Sequence, residues 1–224
     1  MIDRDSIKYA IQYNRILHDS AALGPYKPNG EWDEFTVLVN SLLQENLPTN
    51  SVNMTLADVG CGAGKWTALL SPYWAKIESI EPNPTTHQLL AKFVNCLRLP
   101  NVELHTSLMP ECLTSIKTDA TLLIDSLYLV KDWMASYVLI LESSQWFAIS
   151  DGADSKPFDK DGFNHPAGDI TGRQPFLSYV EWELAELARQ AGYNVKIYDI
   201  FKGQLLSKDE TCPRWLIIGD KTHA

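Results

Sequence analysis

Residues 55–67 read Thr55-Leu56-Ala57-Asp58-Val59-Gly60-Cys61-Gly62-Ala63-Gly64-Lys65-Trp66-Thr67. The apolar run before the first glycine predicts a strand, and the pattern after the third glycine predicts the start of a helix. Three glycines at alternate positions let the backbone adopt positive φ angles and approach a ligand closely, and the helix start offers unpaired N–H groups. This segment, named the glycine turn below (Gly60–Gly64), therefore predicts a nucleotide-type ligand site.

The sequence after the glycine turn alternates short apolar runs with helical patterns, which predicts a parallel sheet with crossover helices. We predict seven strands, at Thr55–Val59, Lys76–Ile80, Val102–Thr106, Ala120–Ile124, Trp146–Ser150, Val195–Phe201 and Arg214–Gly219. Helices are predicted at Gly64–Tyr73, Pro84–Leu97, Lys131–Glu142 and Ser178–Gly192. Because no helix separates the last two strands, the chain should return antiparallel there as a C-terminal hairpin.

Residues 1–50 precede this sheet and carry two helical patterns, at about Asp5–Leu17 and Glu31–Leu47, separated by a Gly- and Pro-containing break at His18–Gly30. Two helices are too few to bury a core of their own. We therefore predict that residues 1–50 form a helical cap on the domain made by residues 51–224.

Composition excludes several classes of protein. A net charge of −9 without a dense Lys/Arg run argues against a nucleic-acid partner. No apolar run approaches the roughly 18 residues of a membrane span, and the first residues lack the pattern of a secretory signal. Four cysteines without a Cys-x-x-Cys pair fit reduced thiols. We expect a cytoplasmic protein without a membrane partner.

The spacing of the glycine turn separates three kinds of nucleotide site. A phosphate-binding loop requires a glycine where Val59 stands and a hydroxyl residue where Trp66 stands, so that interpretation fails. A dinucleotide fingerprint requires a third glycine where Lys65 stands. A nicotinamide-dependent oxidoreductase is thereby weakened but remains an alternative.

The pattern Asp58-x-Gly60-x-Gly62-x-Gly64 resembles motif I of the class I S-adenosylmethionine-dependent methyltransferases. Glu81 follows the next strand, where that family has an acidic residue, and Asp125–Val130 is similar to the family's motif IV. The resemblance runs from about Leu56 to Asp220. It implies an α/β, Rossmann-like, seven-stranded and mostly parallel sheet with a C-terminal antiparallel hairpin, and S-adenosylmethionine as cofactor with S-adenosylhomocysteine as product.

The same resemblance implies which residues hold the cofactor. Glu81 would bind both ribose hydroxyls, Asp58 the ammonium group, and the backbone around Cys61 would pack against the amino acid portion. Ser107 or Leu108 stands where many members have an acidic residue that binds adenine. The cofactor residues are therefore predicted to be Asp58, Gly60, Cys61, Gly62, Gly64, Glu81, Ser107, Leu108, Asp125 and Ser126. Asp58, Glu81 and Asp125 all fall at the carboxyl ends of predicted strands, where open α/β sheets bind ligands.

Methyl transfer requires an aligned acceptor and, for a hydroxyl group, removal of its proton. Asp151–Pro175 lacks a regular pattern, and loops of this length are commonly functional, so we predict that residues 151–175 face the substrate. His165 is the predicted general base because its ordinary pKa lies near neutrality. The further predicted catalytic residues are Asp151 and Tyr128, and the predicted substrate-binding residues are His18, Tyr26 and Arg173.

A magnesium ion is an alternative aid to catalysis, because some catechol-type O-methyltransferases bind one after the fourth and fifth strands, where Asp125 and Asp151 stand. Gly152 occupies the place of a further oxygen ligand, so we predict no metal site.

The predicted function is methyl transfer to an oxygen, or with less support a nitrogen, of a small molecule. Glu81-Pro82-Asn83-Pro84 is also similar to a segment of some sugar and natural-product O-methyltransferases. A non-catalytic subunit that binds S-adenosylmethionine and a macromolecular acceptor, RNA or protein, remain alternatives.

Overall fold

The computed structural model describes residues 34–127, 130, 132–152, 180–207, 210, 212 and 214–221. The strands within this part are β1 (Thr55–Val59), β2 (Lys76–Ile80), β3 (Val102–His105), β4 (Ala120–Ile124), β5 (Trp146–Gly152), β6 (Asn194–Asp199), β7 (Gln204–Leu205) and β8 (Arg214–Asp220). The α-helices there are α1 (Glu34–Glu45), α2 (Lys65–Leu70), α3 (Pro84–Leu97), α4 (Glu111–Ser115), α5 (Trp133–Ser143) and α6 (Val180–Gln190). Short 3₁₀ turns span Ser51–Asn53 and Ser71–Tyr73.

The strands form one mixed sheet in the order β3-β2-β1-β4-β5-β8-β6-β7. Strands β1 to β5 run parallel to one another, whereas β8 runs antiparallel to both β5 and β6. The predicted α/β fold with a C-terminal antiparallel hairpin is confirmed. All seven predicted strands are present, and the two-residue β7 adds an eighth by pairing with β6.

Alternate residues of the central strands enter two apolar layers, as the pleat of a strand requires. Leu122 of β4 packs in the layer that contains α1 and α2, whereas its neighbour Leu123 packs in the layer that contains α5 and α6. A strand buried on both faces reads as a continuous apolar run, and this is why β4 was predictable from its sequence.

Helix α1 lies directly on the sheet. Its residues Val39, Leu42 and Leu43 are buried in the same layer as Trp146 of β5. The Trp146 indole N–H also donates a hydrogen bond to the carbonyl of Asn46, just beyond the helix, over 2.8 Å. The described end of the predicted cap is therefore part of the core of the domain, while residues 1–33 lie outside the described part.

Several element boundaries are fixed by side chains. The Asn83 carboxamide accepts hydrogen bonds from the N–H groups of Thr85 and Thr86, which starts α3 immediately after the loop that follows β2. Strand β6 ends earlier than predicted because the Asp199 carboxylate accepts hydrogen bonds from the N–H groups of Phe201 and Lys202 and turns the chain.

Among the described helices, none combines the length and apolarity that crossing a membrane would require.

Candidate functional site

The order of the strands reverses between β1 and β4, so the carboxyl ends of the parallel strands meet beside a crevice. The border of the sheet formed by the carboxyl ends of its parallel strands carries Asp58, Glu81, Asp125 and Asp151. It is called the site edge below. Backbone hydrogen bonds join its loops: the Gly60 N–H donates to the Ile80 carbonyl over 2.8 Å. The sequence predicted all four acidic residues at strand ends, and the fold brings those ends together.

Gly60 adopts a φ of +68° and leaves no room for a side chain. A Cβ atom at this position would lie 2.6 Å from the Cβ of Ser126. The Ser126 hydroxyl in turn donates a hydrogen bond to the Val59 carbonyl over 3.0 Å. The loop after β4 is therefore packed tightly against the start of the glycine turn, with the Ser126 hydroxyl bound to the backbone of β1.

Gly62 faces open space. A Cβ atom built there would meet nothing within 4 Å, and its N–H donates a hydrogen bond to Oε2 of Glu81 over 3.0 Å. The Glu81 side chain is buried, and its Oε1 accepts a second hydrogen bond from the Asn83 N–H over 2.8 Å. These two hydrogen bonds fix the orientation of the Glu81 carboxylate beside the open side of the glycine turn.

Cys61 and Gly64 of the glycine turn face the core. The Cys61 side chain is buried among apolar residues of α3, and burial raises the pKa of its thiol well above the ordinary value. A Cβ atom at Gly64 would lie 2.7 Å from Leu90 of α3, so this glycine lets the two segments approach. Cys61 therefore presents its backbone to the turn, while its side chain stabilises the packing below.

Asp58 is a buried carboxylic acid at the end of β1, only 1% exposed. Burial raises its pKa to about 7; the hydrogen bond that the Thr67 hydroxyl donates to Oδ2 over 2.6 Å opposes this rise, and the charge of Glu81 adds to it. A carboxyl group in such surroundings favours its neutral form until a cation arrives. The geometry is thus suited to a positively charged ligand group.

Asp125 is paired with Arg214, a residue that the sequence did not single out. A guanidinium Nη2 of Arg214 donates to Oδ2 of Asp125, and the guanidinium lies 3.9 Å from the centre of the Phe35 ring. The Lys65 ammonium lies 5.7 Å from the same ring and donates to the Thr36 hydroxyl over 3.1 Å. The side chains of Arg214 and Lys65 thus both contact the first described turn of α1, beside the site edge.

The other predicted residues divide into two groups. Asp151 is buried near the end of β5, and Leu108, beyond β3, is 63% exposed, whereas the neighbouring Ser107 is half-buried. The remaining predicted catalytic and substrate-binding residues lie outside the described residues and stay predictions: His18, Tyr26, Tyr128, His165 and Arg173.

A further polar cluster lies on β2 and β3 rather than beside the glycine turn. Glu78, Glu103 and His105 have ligand-type atoms within 4.8 Å of one another. The Lys76 ammonium lies 2.6 Å from both carboxylates, and the His105 Nε2 lies 2.7 Å from Glu78. Lys76 already supplies the positive charge that this cluster requires, so the arrangement is an ion-pair network.

Comparison with known proteins places this geometry in context. The structure is similar to that of a SAM-dependent methyltransferase from Aquifex aeolicus, with 19% sequence identity and a TM-score of 0.56 over 93% of this chain and 96% of that chain. It is similar to the N-terminal domain of EvdMO1, crystallised in the presence of SAH and D-fucose, with 15% identity and a TM-score of 0.59 over 98% and 97% of the two chains.

A precorrin-6y C5,15-methyltransferase from Geobacter metallireducens GS-15 is similar at 14% identity and a TM-score of 0.52, over 81% of this chain and 86% of that chain. No protein-family model matches the sequence, and no curated protein matches it. At such low identities these likenesses establish the fold and nothing finer. The chain has the fold of the class I S-adenosylmethionine-dependent methyltransferases.

Proposed function

We propose that this protein transfers the methyl group of S-adenosylmethionine to an oxygen atom of a small molecule. The observation that carries the proposal is the contact between Glu81 and Gly62, which fixes a buried carboxylate beside a glycine turn that is open to a ligand. A carboxylate with two fixed oxygens suits the vicinal hydroxyls of a ribose. The residues present therefore fit the cofactor that the resemblance implies.

Asp58 has the second role in the proposal. Its carboxyl group, held by Thr67 and raised in pKa by burial, would bind the ammonium group of the cofactor and become ionised on doing so. The bound cofactor supplies an activated methyl group. The protein then has to align the acceptor oxygen with that methyl group and take up its proton.

The proposed acceptor is a hydroxyl group of a small molecule. An oxygen acceptor is supported by the similarity to the EvdMO1 domain, which was crystallised with a sugar. His165 is proposed as the general base, Asp151 and Tyr128 as further catalytic residues, and His18, Tyr26 and Arg173 as residues that bind the acceptor. A macromolecular acceptor and a non-catalytic role remain alternatives, and the methyltransferase neighbours do not favour the nicotinamide alternative.

Calorimetry with S-adenosylhomocysteine tests the proposal. Glu81→Gln keeps the shape of the side chain but removes its charge, and a hydrogen bond to a charged group contributes about 1.5–3 kcal/mol. We expect the dissociation constant to rise by about ten- to a hundredfold. Glu111→Gln, on the exposed first turn of α4, is the matched control and should bind as the wild type does.

Failure of the wild type to bind S-adenosylhomocysteine would refute the proposal, and binding of NADH instead would support the oxidoreductase alternative. Binding of S-adenosylhomocysteine without methyl transfer to D-fucose or other hydroxylated probes would favour a non-catalytic subunit.

A further inference from the structure

We propose that Arg214 binds an anionic group of the methyl acceptor, so that the acceptor is a small molecule bearing a carboxylate or a phosphate. This inference rests on the proposed function and deepens it by assigning the charge of the substrate. It concerns a residue that neither the sequence motif nor the similarity in fold assigns.

The position of Arg214 follows from the direction of β8. Arg214 opens β8 and lies opposite Gly152 of β5 in the antiparallel register, so it stands at the carboxyl end of β5, on the site edge. Its partner Asp125 directly precedes Ser126, the residue that packs against Gly60. The guanidinium is therefore next to the glycine turn, on the side of β4 and β5.

The guanidinium of Arg214 is fixed in orientation, but not all of its N–H donors have an acceptor among the described residues. The Phe35 ring packs on it and Asp125 accepts from one of its Nη atoms, while the side chain remains 31% exposed. Its Nε–H is buried and has no hydrogen-bond acceptor among the described residues. An arginine carries five N–H donors in a planar fork that matches carboxylate and phosphate oxygens. Because the Nε atom itself is buried, an anion would reach the guanidinium through the exposed part of the side chain, where the donors not bound to Asp125 have no acceptor among the described residues.

Local charge supports the same partner. The chain carries a net charge of −9, and the site edge itself is lined by four acidic residues. Against this background, Arg214 and Lys65 both lie on the Phe35 ring, at 3.9 and 5.7 Å from its centre. Two cations that contact one ring give this acidic site edge a place where an anionic group of a ligand can be bound. Asp125 then acts as an internal competitor for the guanidinium.

The experiment uses the full chain saturated with S-adenosylhomocysteine, with inorganic phosphate and acetate as probes at constant ionic strength. Binding is followed in every variant through the backbone amide signals of ¹⁵N-labelled protein, and in the wild type also through the arginine Nε–H signals. We expect dissociation constants on the order of 1–10 mM for at least one probe. The preferred probe distinguishes a phosphate-bearing from a carboxylate-bearing acceptor.

Two variants and one control separate anion binding from a structural ion pair. Arg214→Gln should weaken binding at least tenfold, and Arg189→Gln, at the exposed end of α6, should leave it unchanged. Asp125→Asn should tighten binding about three- to tenfold, because it removes the competing carboxylate while asparagine also tolerates the positive φ of 56° at this position. If Arg214 and Asp125 form only a structural ion pair, Asp125→Asn should not tighten the binding of either probe.

The inference is wrong if a protein that binds S-adenosylhomocysteine binds neither probe, or if Asp125→Asn binds no more tightly than the wild type. It is also wrong if the probes compete with S-adenosylhomocysteine, because the guanidinium would then hold the carboxylate of the cofactor. Failure of the wild type to bind S-adenosylhomocysteine would instead overturn the proposed function on which the inference rests.

Discussion

Asp58 makes cofactor affinity depend on pH in a direction that the structure sets. Burial raises the pKa of this carboxyl group to about 7 in the free protein. A cation bound beside it would return the pKa towards the ordinary value of about 4. Below pH 7 the free protein must therefore lose a proton from Asp58 before the ammonium group can pair with a carboxylate, and affinity should rise with pH.

The magnitude follows from these two pKa values. The protonated fraction of free Asp58 weakens binding about a hundredfold at pH 5 and about twofold at pH 7, so the dissociation constant should fall about fiftyfold between them, or about 2.3 kcal/mol. At pH 6, binding should release about 0.9 protons. Titration calorimetry with S-adenosylhomocysteine, in two buffers of different ionisation enthalpy, measures both quantities.

Asp58→Asn removes the titrating group and keeps an acceptor for the Thr67 hydroxyl, so its affinity should vary little between pH 5 and pH 7. Asp119→Asn is the matched control, because Asp119 accepts a hydrogen bond from the Thr55 N–H at the opposite end of β1. It should keep the wild-type profile. A wild-type change of less than threefold, or the same profile in Asp58→Asn, would refute a role of Asp58 in binding the ammonium group.

Two further predictions concern stability. Gly60→Ala should lower the free energy of unfolding by about 3 kcal/mol, because the new Cβ would overlap Ser126 and the φ angle is positive. Gly62→Ala, where the new Cβ would face open space, should lower it by about 1 kcal/mol. Equal losses of the two variants in urea titrations would contradict this. Glu181 is fully buried with no hydrogen-bond partner for either carboxyl oxygen among the described residues, and burial raises its pKa. A raised carboxyl pKa makes stability fall as pH rises, so Glu181→Gln should lose less free energy of unfolding between pH 5 and pH 8 than the wild type; an unchanged loss would contradict the assignment.

The fold was most predictable where local sequence and burial agree. The bounds of β1, β2 and β4 match the predicted ones. Each strand lies inside the parallel sheet and has buried residues on both faces, although β2 includes the polar residues Lys76, Glu78 and Ser79. Helix α3 also matches, because Pro84 and the Asn83 cap mark its start in the sequence. The two-residue β7 and the five-residue α4 were not predicted, since so few residues show no periodicity.

The same distinction applies to the candidate site. Asp58, Glu81 and Asp125 could be placed because each lies at the carboxyl end of a parallel strand, and all such ends meet at one edge of the sheet. Arg214 is 89 residues from its partner Asp125 and begins a strand rather than following one. Reversal of β8 brings that beginning to the site edge, so the signal was present in the predicted hairpin. Where a strand runs antiparallel to the parallel strands of a sheet, candidate site residues therefore include those at its amino end, and this rule would have selected Arg214 from the sequence.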